Sequence, residues 1–566
     1  MGKRLAVPRG DLDARDYQSI LLKLNQKITI MARTQPQEKA TTKTSDIRIV
    51  PSASSGDRAK RVAMGRSRQR PAGPAAPPLT ADSSSPDPRR WLILGLLIMA
   101  QFMVVLDAAI VNVALPSIQS SLGLSEAGLA WVVNAYILVF GGFLLVGGRS
   151  ADLYGRRRMF VSGLALFSLA SLACGVAANS IELVAFRSMQ GLGAAVLSPA
   201  ALSIVTTTFT ETGERNKALG MWGAIGGIAA AVGLLAGGVL SAGPGWRWVF
   251  FANVPFGVAL LALSPLVRGD DRTRQRGRLD LVGAALATSG LCLAVYTFFE
   301  TGSAGWASAT TVALFLAALA LLAGFVVWER RVADPLAPLA VFRVTTLAAA
   351  NAINLLIGAV LFSTFFFLTL YLQRVWGYGP LQTGLAQLPL AGAQLLAARL
   401  ASRLITRFGH RPVLASGLLL MAGSLLWLAQ SATTHASYLE DVFVPSILFG
   451  AGLISAVVAT FIAGQEGVPE RLAGFASGLI STTLYVGGAV GLAVLGAVAT
   501  ARTHDVQAGT GDANTTAARA LATGFQYGWT VGAICCLVGA TLAIAVLDRR
   551  SDTPRQAHRS GLGGEQ

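Results

Sequence analysis

Asp107 interrupts an apolar run that begins at Trp91, in the stretch "VVLDAAIVNVALP". Of the 29 acidic residues it alone lies well inside a predicted membrane span, whereas Glu182, Asp280, Glu300, Glu329, Glu440 and Asp441 fall near predicted helix ends. A carboxylate away from water is costly, so one retained there is functional or tied into packing. A proton carrier must alternate between charged and neutral forms, which a partly desolvated carboxylate can do near neutral pH. One cation, Arg187, also falls inside a predicted span. Counted from outer ends near Ile118 and Ser180 at 1.5 Å per residue, Asp107 lies about 16 Å deep and Arg187 about 10 Å, a gap a guanidinium side chain spans. The two read as a proton-coupling pair. The alternatives are an acid held for packing alone, and an arginine that snorkels outward or pairs with Glu182.

Other chemistry is sparse. His410, His435, His504 and His558 lie in predicted loops or tails, and Cys174, Cys292, Cys535 and Cys536 sit in apolar runs without metal-ligand spacing. No metal and no cofactor are expected. Without a His or Cys cluster or paired intramembrane carboxylates, the chain does not read as an enzyme. No nucleotide-binding P-loop occurs, which argues against an ATP-driven pump and leaves an ion gradient as the energy source.

The elements that must position this pair are membrane helices. Of 566 residues, 53% are hydrophobic and only 13% charged, and the mean hydropathy is +0.56. That composition belongs to a polytopic membrane protein in a lipid bilayer, and the 62 glycines suit closely packed spans. Residues 1–90 differ: they carry 18 Lys and Arg against 8 Asp and Glu. This predicts a disordered basic cytoplasmic tail rather than a nucleic-acid surface, so no nucleic-acid partner is expected. No cleavable signal peptide precedes Trp91, and the first span is expected to serve as the insertion signal.

Segments of about 20 apolar residues start near 91, 128, 159, 182, 217, 248, 280, 309, 344, 381, 412, 441, 473 and 522. Loop charges test the count. If both termini share one side, 41 of the 46 Lys and Arg fall there, and only Arg247, Arg374, Arg502 and Arg519 fall opposite. The positive-inside rule makes the basic side cytoplasmic, with fourteen spans and both termini in.

A weak repeat, "GRSADLYGRRR" at 148–158 against "SRLITRFGHRP" at 402–412, aligns Gly155 and Arg157 with Gly409 and Arg411. It implies two related helical bundles, the parallel-repeat plan of secondary transporters. The predicted organisation is a six-helix bundle over 91–267, a two-helix linker insertion with flanking loops over 268–343, a second six-helix bundle over 344–548, and a cytoplasmic tail over 549–566.

The stretches "LDAAIVNVALP", "GRSADLYGRRR", "RSMQGLGAA", "WRWVFFANVPFG" and "GFASGLISTT" together resemble the fourteen-span drug:proton antiporter branch of the major facilitator superfamily, over about residues 91–548. The resemblance implies an all-α major facilitator fold, a role for Arg187 in proton transfer, and a conformational latch at Gly148, Asp152, Gly155, Arg156 and Arg157. Three departures stand out. Leu234 replaces the proline of the fifth-helix antiporter motif, Ala109 stands where a hydroxyl residue is usual, and Thr406 stands where the second loop copy would match Asp152.

Two four-residue spacings in the fifth span, Gly223 with Gly227 and Gly233 with Gly237, predict one small helix-packing face, as do Gly487 and Gly491 in the thirteenth. A substrate site is expected near the midplane between the bundles, apolar with a few polar groups. Its candidates are Asn112, Asn134, Tyr136, Gln190, Asn351, Asn354, Gln387, Gln394 and Tyr485. Apart from Asp107 they offer no negative charge, which favours neutral, zwitterionic or monocationic lipophilic compounds.

The reading is a monomeric antiporter of the inner (cell) membrane that exports a lipophilic drug or antibiotic against protons. A dedicated exporter of a self-made secondary metabolite fits the same residues. A non-transporting membrane sensor or scaffold is the reading from another class, though it would call for a folded soluble domain that the short loops do not supply.

Overall fold

The computed structural model describes residues 89–546, apart from residues 210, 268–278, 305–307, 337–343, 434–436, 469–472 and 509–512. The tail expected over 1–90, but for its last two residues, and that over 549–566 lie outside the described residues.

The described chain is helical throughout. The first six helices are α1 (Arg90–Leu122), α2 (Glu126–Tyr154), α3 (Arg156–Val176), α4 (Ser180–Thr208), α5 (Thr212–Ala242) and α6 (Trp248–Leu266, broken at Ala252). Two more follow, α7 (Leu281–Ala304) and α8 (Ala309–Glu329). The last six are α9 (Thr345–Leu370), α10 (Pro380–Phe408), α11 (His410–Ser431), α12 (Val444–Ala463), α13 (Ala473–Ala508) and α14 (Ala513–Val546). A π turn, Tyr371–Val375, prolongs α9, and another, Tyr438–Phe443, leads into α12.

Thirteen described helices are long and apolar enough to cross a membrane. The fourteenth, α10, is 29 residues long, but Gln382, Gln387 and Gln394 dilute its apolar run. The predicted starts agree to within a few residues except at α14, which begins well before 522 because the Ala-rich "ANTTAARALATG" continues the helix beyond its apolar core.

Helices α1–α6 pack on one another, as do α9–α14, and α7 pairs with α8. Contact between the two groups runs through α5 against α10 and α2 against α13. Gly155 joins α2 to α3 at φ 101°, and Gly409 joins α10 to α11 at φ 84°. Both hold a positive-φ backbone that side-chain-bearing residues resist, so the sequence repeat recurs as one turn used twice.

The halves are fastened at the end where α1 finishes and α2 starts. There Gln373 Nε2 donates to the Val113 carbonyl at 2.9 Å, and Arg374 pairs with Glu126 at 2.6 Å and also reaches Gln119 Oε1. Between α5 and α10, Gly238 faces the Pro380–Leu381 backbone and Gly384 faces the Leu234 carbonyl. Nearer the Arg-rich end Gly227 of α5 faces the Leu395 side chain of α10. A Cβ on Gly220, Gly223 or Gly226 would meet nothing within 4 Å among the described residues, and Leu396 is 81% exposed.

Candidate functional site

Asp107 on α1 and Arg187 on α4 form an ion pair of 2.6 Å, with side chains 0% and 1% exposed. The sequence placed the two several ångströms apart in depth, and the arginine covers the difference. Glu182 is engaged elsewhere: Asn179 caps α4 by accepting from Glu182 N, and the Glu182 carboxylate accepts in return from Ala178 N and Asn179 Nδ2. Arg187 therefore turns inward.

The carboxylate is fully engaged. Arg187 donates to Oδ2, while Gln190 Nε2 and Asn253 Nδ2 each donate to Oδ1 at 2.8 Å. Ser171 Oγ accepts from both of those amides, at 2.9 and 3.0 Å, and donates to the Phe250 carbonyl at 3.3 Å. Arg187 holds further partners independent of the acid: its Nε donates to the Val132 carbonyl at 3.1 Å and its Nη1 to Gln190 Oε1 at 2.7 Å. Its guanidinium also lies over the Tyr136 ring, 4.3 Å from the centroid, a favourable cation–π contact. Tyr136 is itself tied to α1 through its hydroxyl on the Val104 carbonyl, at 3.3 Å.

Five of the first six helices thus converge on one carboxylate. The sixth, α5, backs α1 beside it: Gly233 lies against Leu106 and Ala109, and Gly237 against Ile110. Arg187 thus has carbonyl, amide and ring contacts that do not involve Asp107.

Sequence reading passes over Ser171 and Asn253. Asn253 lies inside the quoted "WRWVFFANVPFG" and is an amide in an apolar span, which was the available signal; Ser171, in the Ala- and Ser-rich α3, offers none. The two predicted binding residues Tyr136 and Gln190 are built into this cluster, and both are buried.

The other predicted polar residues divide by how well they are partnered. Asn351 donates to Leu347 and accepts from Thr483, and Asn354 donates to the Ile480 carbonyl, so both tie α9 into its surroundings. Asn112 Oδ1, both amide atoms of Asn134 and Gln387 Oε1 are buried without a partner among the described residues, as is Thr482 Oγ1 on α13. Buried polar atoms of this kind want hydrogen bonds. Gln394 is half-buried on α10. Tyr485 stacks between Phe140 of α2 and Phe362 of α9, with centroids 4.3 and 5.9 Å apart, and so bridges the halves.

The predicted glycine face of α5 resolves into two faces. Gly233 and Gly237 pack on α1, Gly227 faces the Leu395 side chain of α10, and Gly223 packs on nothing described. Six residues separate Gly227 from Gly233, more than one and a half turns, which sets the pairs on different sides of the helix. Gly487 and Gly491 do lie against the α9 backbone, at Leu355 and Ala359. Of the predicted latch, Gly155 makes the positive-φ turn, Asp152 lies 3.9 Å from Arg156, Gly148 faces Pro199, and Arg157 is half-buried in the first turn of α3.

A helical membrane protein in two groups of six, with a charge pair sealed inside one of them, has the build of a secondary transporter. Residues 97–492 match the model of the Major Facilitator Superfamily, and the chain belongs to that family. It is therefore a multi-pass membrane protein of a transporter family. It is 41% identical to the puromycin resistance protein pur8 of Streptomyces alboniger, over 84% of this chain and 93% of that one. It is also 41% identical to the cephamycin export protein CmcT of Amycolatopsis lactamdurans, over 70% and 82%. Among solved structures, a bacterial homologue of the human lysosomal transporter Spinster, inward-facing and occupied, superposes with a TM-score of 0.58 at 17% identity, over 81% of this chain and 96% of that one. Relatives of this chain at 34–41% identity include drug and antibiotic resistance and export proteins.

Proposed function

We propose that the chain exports lipophilic antibiotics or drugs across the cell membrane in exchange for protons. The observation that carries this reading is the sealed Asp107–Arg187 pair, held by Gln190, Asn253 and Ser171 where five helices meet. The acid couples; the arginine neutralises it in one state of the cycle. The Arg-rich end is cytoplasmic, and the fastening at the opposite end supports an inward-facing arrangement. The Asn112 and Gln387 amide oxygens and the Asn134 amide supply neutral hydrogen-bonding groups to the substrate. None is charged, which supports neutral, zwitterionic or monocationic compounds. A single-compound exporter is the second reading, favoured by the relative named for cephamycin export.

The test is uptake into everted vesicles energised by respiration, with puromycin and lincomycin among the compounds. Uphill accumulation abolished by a protonophore and by Asp107→Asn is the expected result. Accumulation that survives both would overturn the reading.

A further inference from the structure

Every partner of the Asp107 carboxylate is a donor. Arg187 Nη1 gives to Oδ2 at 2.6 Å, and the Gln190 and Asn253 amides each give to Oδ1 at 2.8 Å. That set suits the ionised acid, which only accepts. A neutral carboxyl carries a hydrogen that needs an acceptor of its own, and at a buried site the protein must supply it. Most acceptors nearby are already used. Gln190 Oε1 takes Arg187 Nη1 at 2.7 Å and lies 3.8 Å from the Cys174 thiol, while Ser171 Oγ takes both amides. The Val132, Val104 and Phe250 carbonyls take Arg187, Tyr136 and Ser171. One acceptor of the cluster is bare: Asn253 Oδ1 is buried without a partner among the described residues, on a side chain 0% exposed.

The ionised acid dictates which way the Asn253 amide points, because an oxygen turned towards the carboxylate would set acceptor against acceptor. The bare oxygen follows from that direction. Among the described residues the ionisable side chains beside Asp107 are Arg187 of α4, Tyr136 of α2 and Cys174 of α3. All three carry hydrogens of their own, and none is left waiting for one.

We infer that Asn253 is the positioning residue of the protonated state: when Asp107 takes up a proton on Oδ1, the Asn253 amide makes a half-turn and its Oδ1 accepts that hydrogen. The half-turn is about the Cβ–Cγ bond, a torsion with broad wells, and it exchanges oxygen and nitrogen without moving the backbone. It puts the oxygen where Nδ2 stands, within reach of both Asp107 Oδ1 and Ser171 Oγ. Gln190 keeps its bond to Asp107 Oδ1, and Arg187 keeps Oδ2. The Ser171 hydrogen, held by the Phe250 carbonyl at 3.3 Å, turns to the same amide oxygen. Phe250 precedes the break in α6 and Asn253 follows it, so the hold of Ser171 passes from one segment of α6 to the other. The inference rests on proton coupling at Asp107 and names the group that receives the neutral acid.

The test is infrared difference spectroscopy of the full chain in liposomes, between acidic and alkaline samples. The carboxylic C=O band that Asp107→Asn removes belongs to Asp107. In Asn253→Leu, of similar volume but without a polar group, that band should move to higher wavenumber, as it does when an acid loses its acceptor. Asn253→Thr, whose hydroxyl both gives and accepts, should hold the band near its wild-type position, and Asn354→Ala on α9 should not move it. Should Asn253→Leu fold poorly, asparagine carrying carbon-13 at the side-chain carbonyl probes the intact residue. One labelled amide band should then shift with pH in the wild type and stay fixed in Asp107→Asn. An Asp107 band that Asn253→Leu leaves in place, or labelled amides that ignore pH while the Asp107 band appears, overturns the inference and leaves proton coupling standing. If Asp107→Asn removes no carboxylic band at any pH at which the protein exports, the inference and the coupling reading fall together.

Discussion

At the scale of single residues, what decides the behaviour of Asp107 is that every polar partner around it is itself buried. Removing one member of a buried ion pair leaves an uncompensated charge, at a cost of about 3–5 kcal/mol. Arg187→Ala is therefore expected to lower the melting temperature and to move the pH profile of export, read by thermal unfolding in detergent and by vesicle transport at several pH values. A variant with unchanged melting and profile would remove Arg187 from the coupling site. Asn253→Ala deletes one hydrogen bond to the carboxylate, worth about 1.5–3 kcal/mol for a charged group. Its effect should resemble that of Arg187→Ala at smaller amplitude, whereas Asn354→Ala, on α9, should leave the pH profile alone. The pair itself was legible because a charge inside an apolar run is conspicuous at a single position. Asn253 and Ser171 were not, because a small polar residue takes its meaning from the helix face opposite it, which tertiary packing sets.

At the scale of helices, the same limit applies to the glycines of α5. Four-residue spacing says that two glycines share a face but not what the face meets, so Gly223 and Gly237 look alike in sequence and differ in the fold. A Cβ on Gly237 would stand 2.6 Å from the Ile110 carbonyl, so Gly237→Ala should force α5 off α1 and destabilise the first half. Gly223→Ala meets no neighbour and replaces a poor helix former, so it should be neutral or stabilising by about 0.5–1 kcal/mol. Chemical denaturation of the two variants side by side checks the contrast, and equal destabilisation would put Gly223 in a packed interface after all. The count and approximate starts of the helices were legible because apolar length and loop charge are local. The α14 start was not, since Asn514, Thr515, Thr516 and Arg519 hold the hydropathy down over a stretch whose alanines still favour helix.

At the scale of the molecule, the two halves are held together at the end where α1 finishes and α2 starts. The Arg374–Glu126 pair is partly exposed, with Glu126 at 49%, and a surface pair of this kind contributes about 0–1 kcal/mol. It is too weak to hold the halves alone. The close approach of α5 to α10, where Gly384 meets the Leu234 carbonyl and Leu234 packs with Val113 and Ala391, must carry most of the closure. Arg374→Ala should therefore leave export largely intact. Gly384→Val, which drives a side chain into the Leu234 backbone, should weaken the closed end. The decisive measurement joins the ends covalently. With Cys174, Cys292, Cys535 and Cys536 replaced by serine or alanine, Glu126→Cys and Arg374→Cys are bridged by a short, reducible bifunctional thiol reagent. If the halves must separate at this end to release the exported compound, cross-linking stops export and reduction restores it. Export that continues through complete cross-linking would mean that this end does not open during transport.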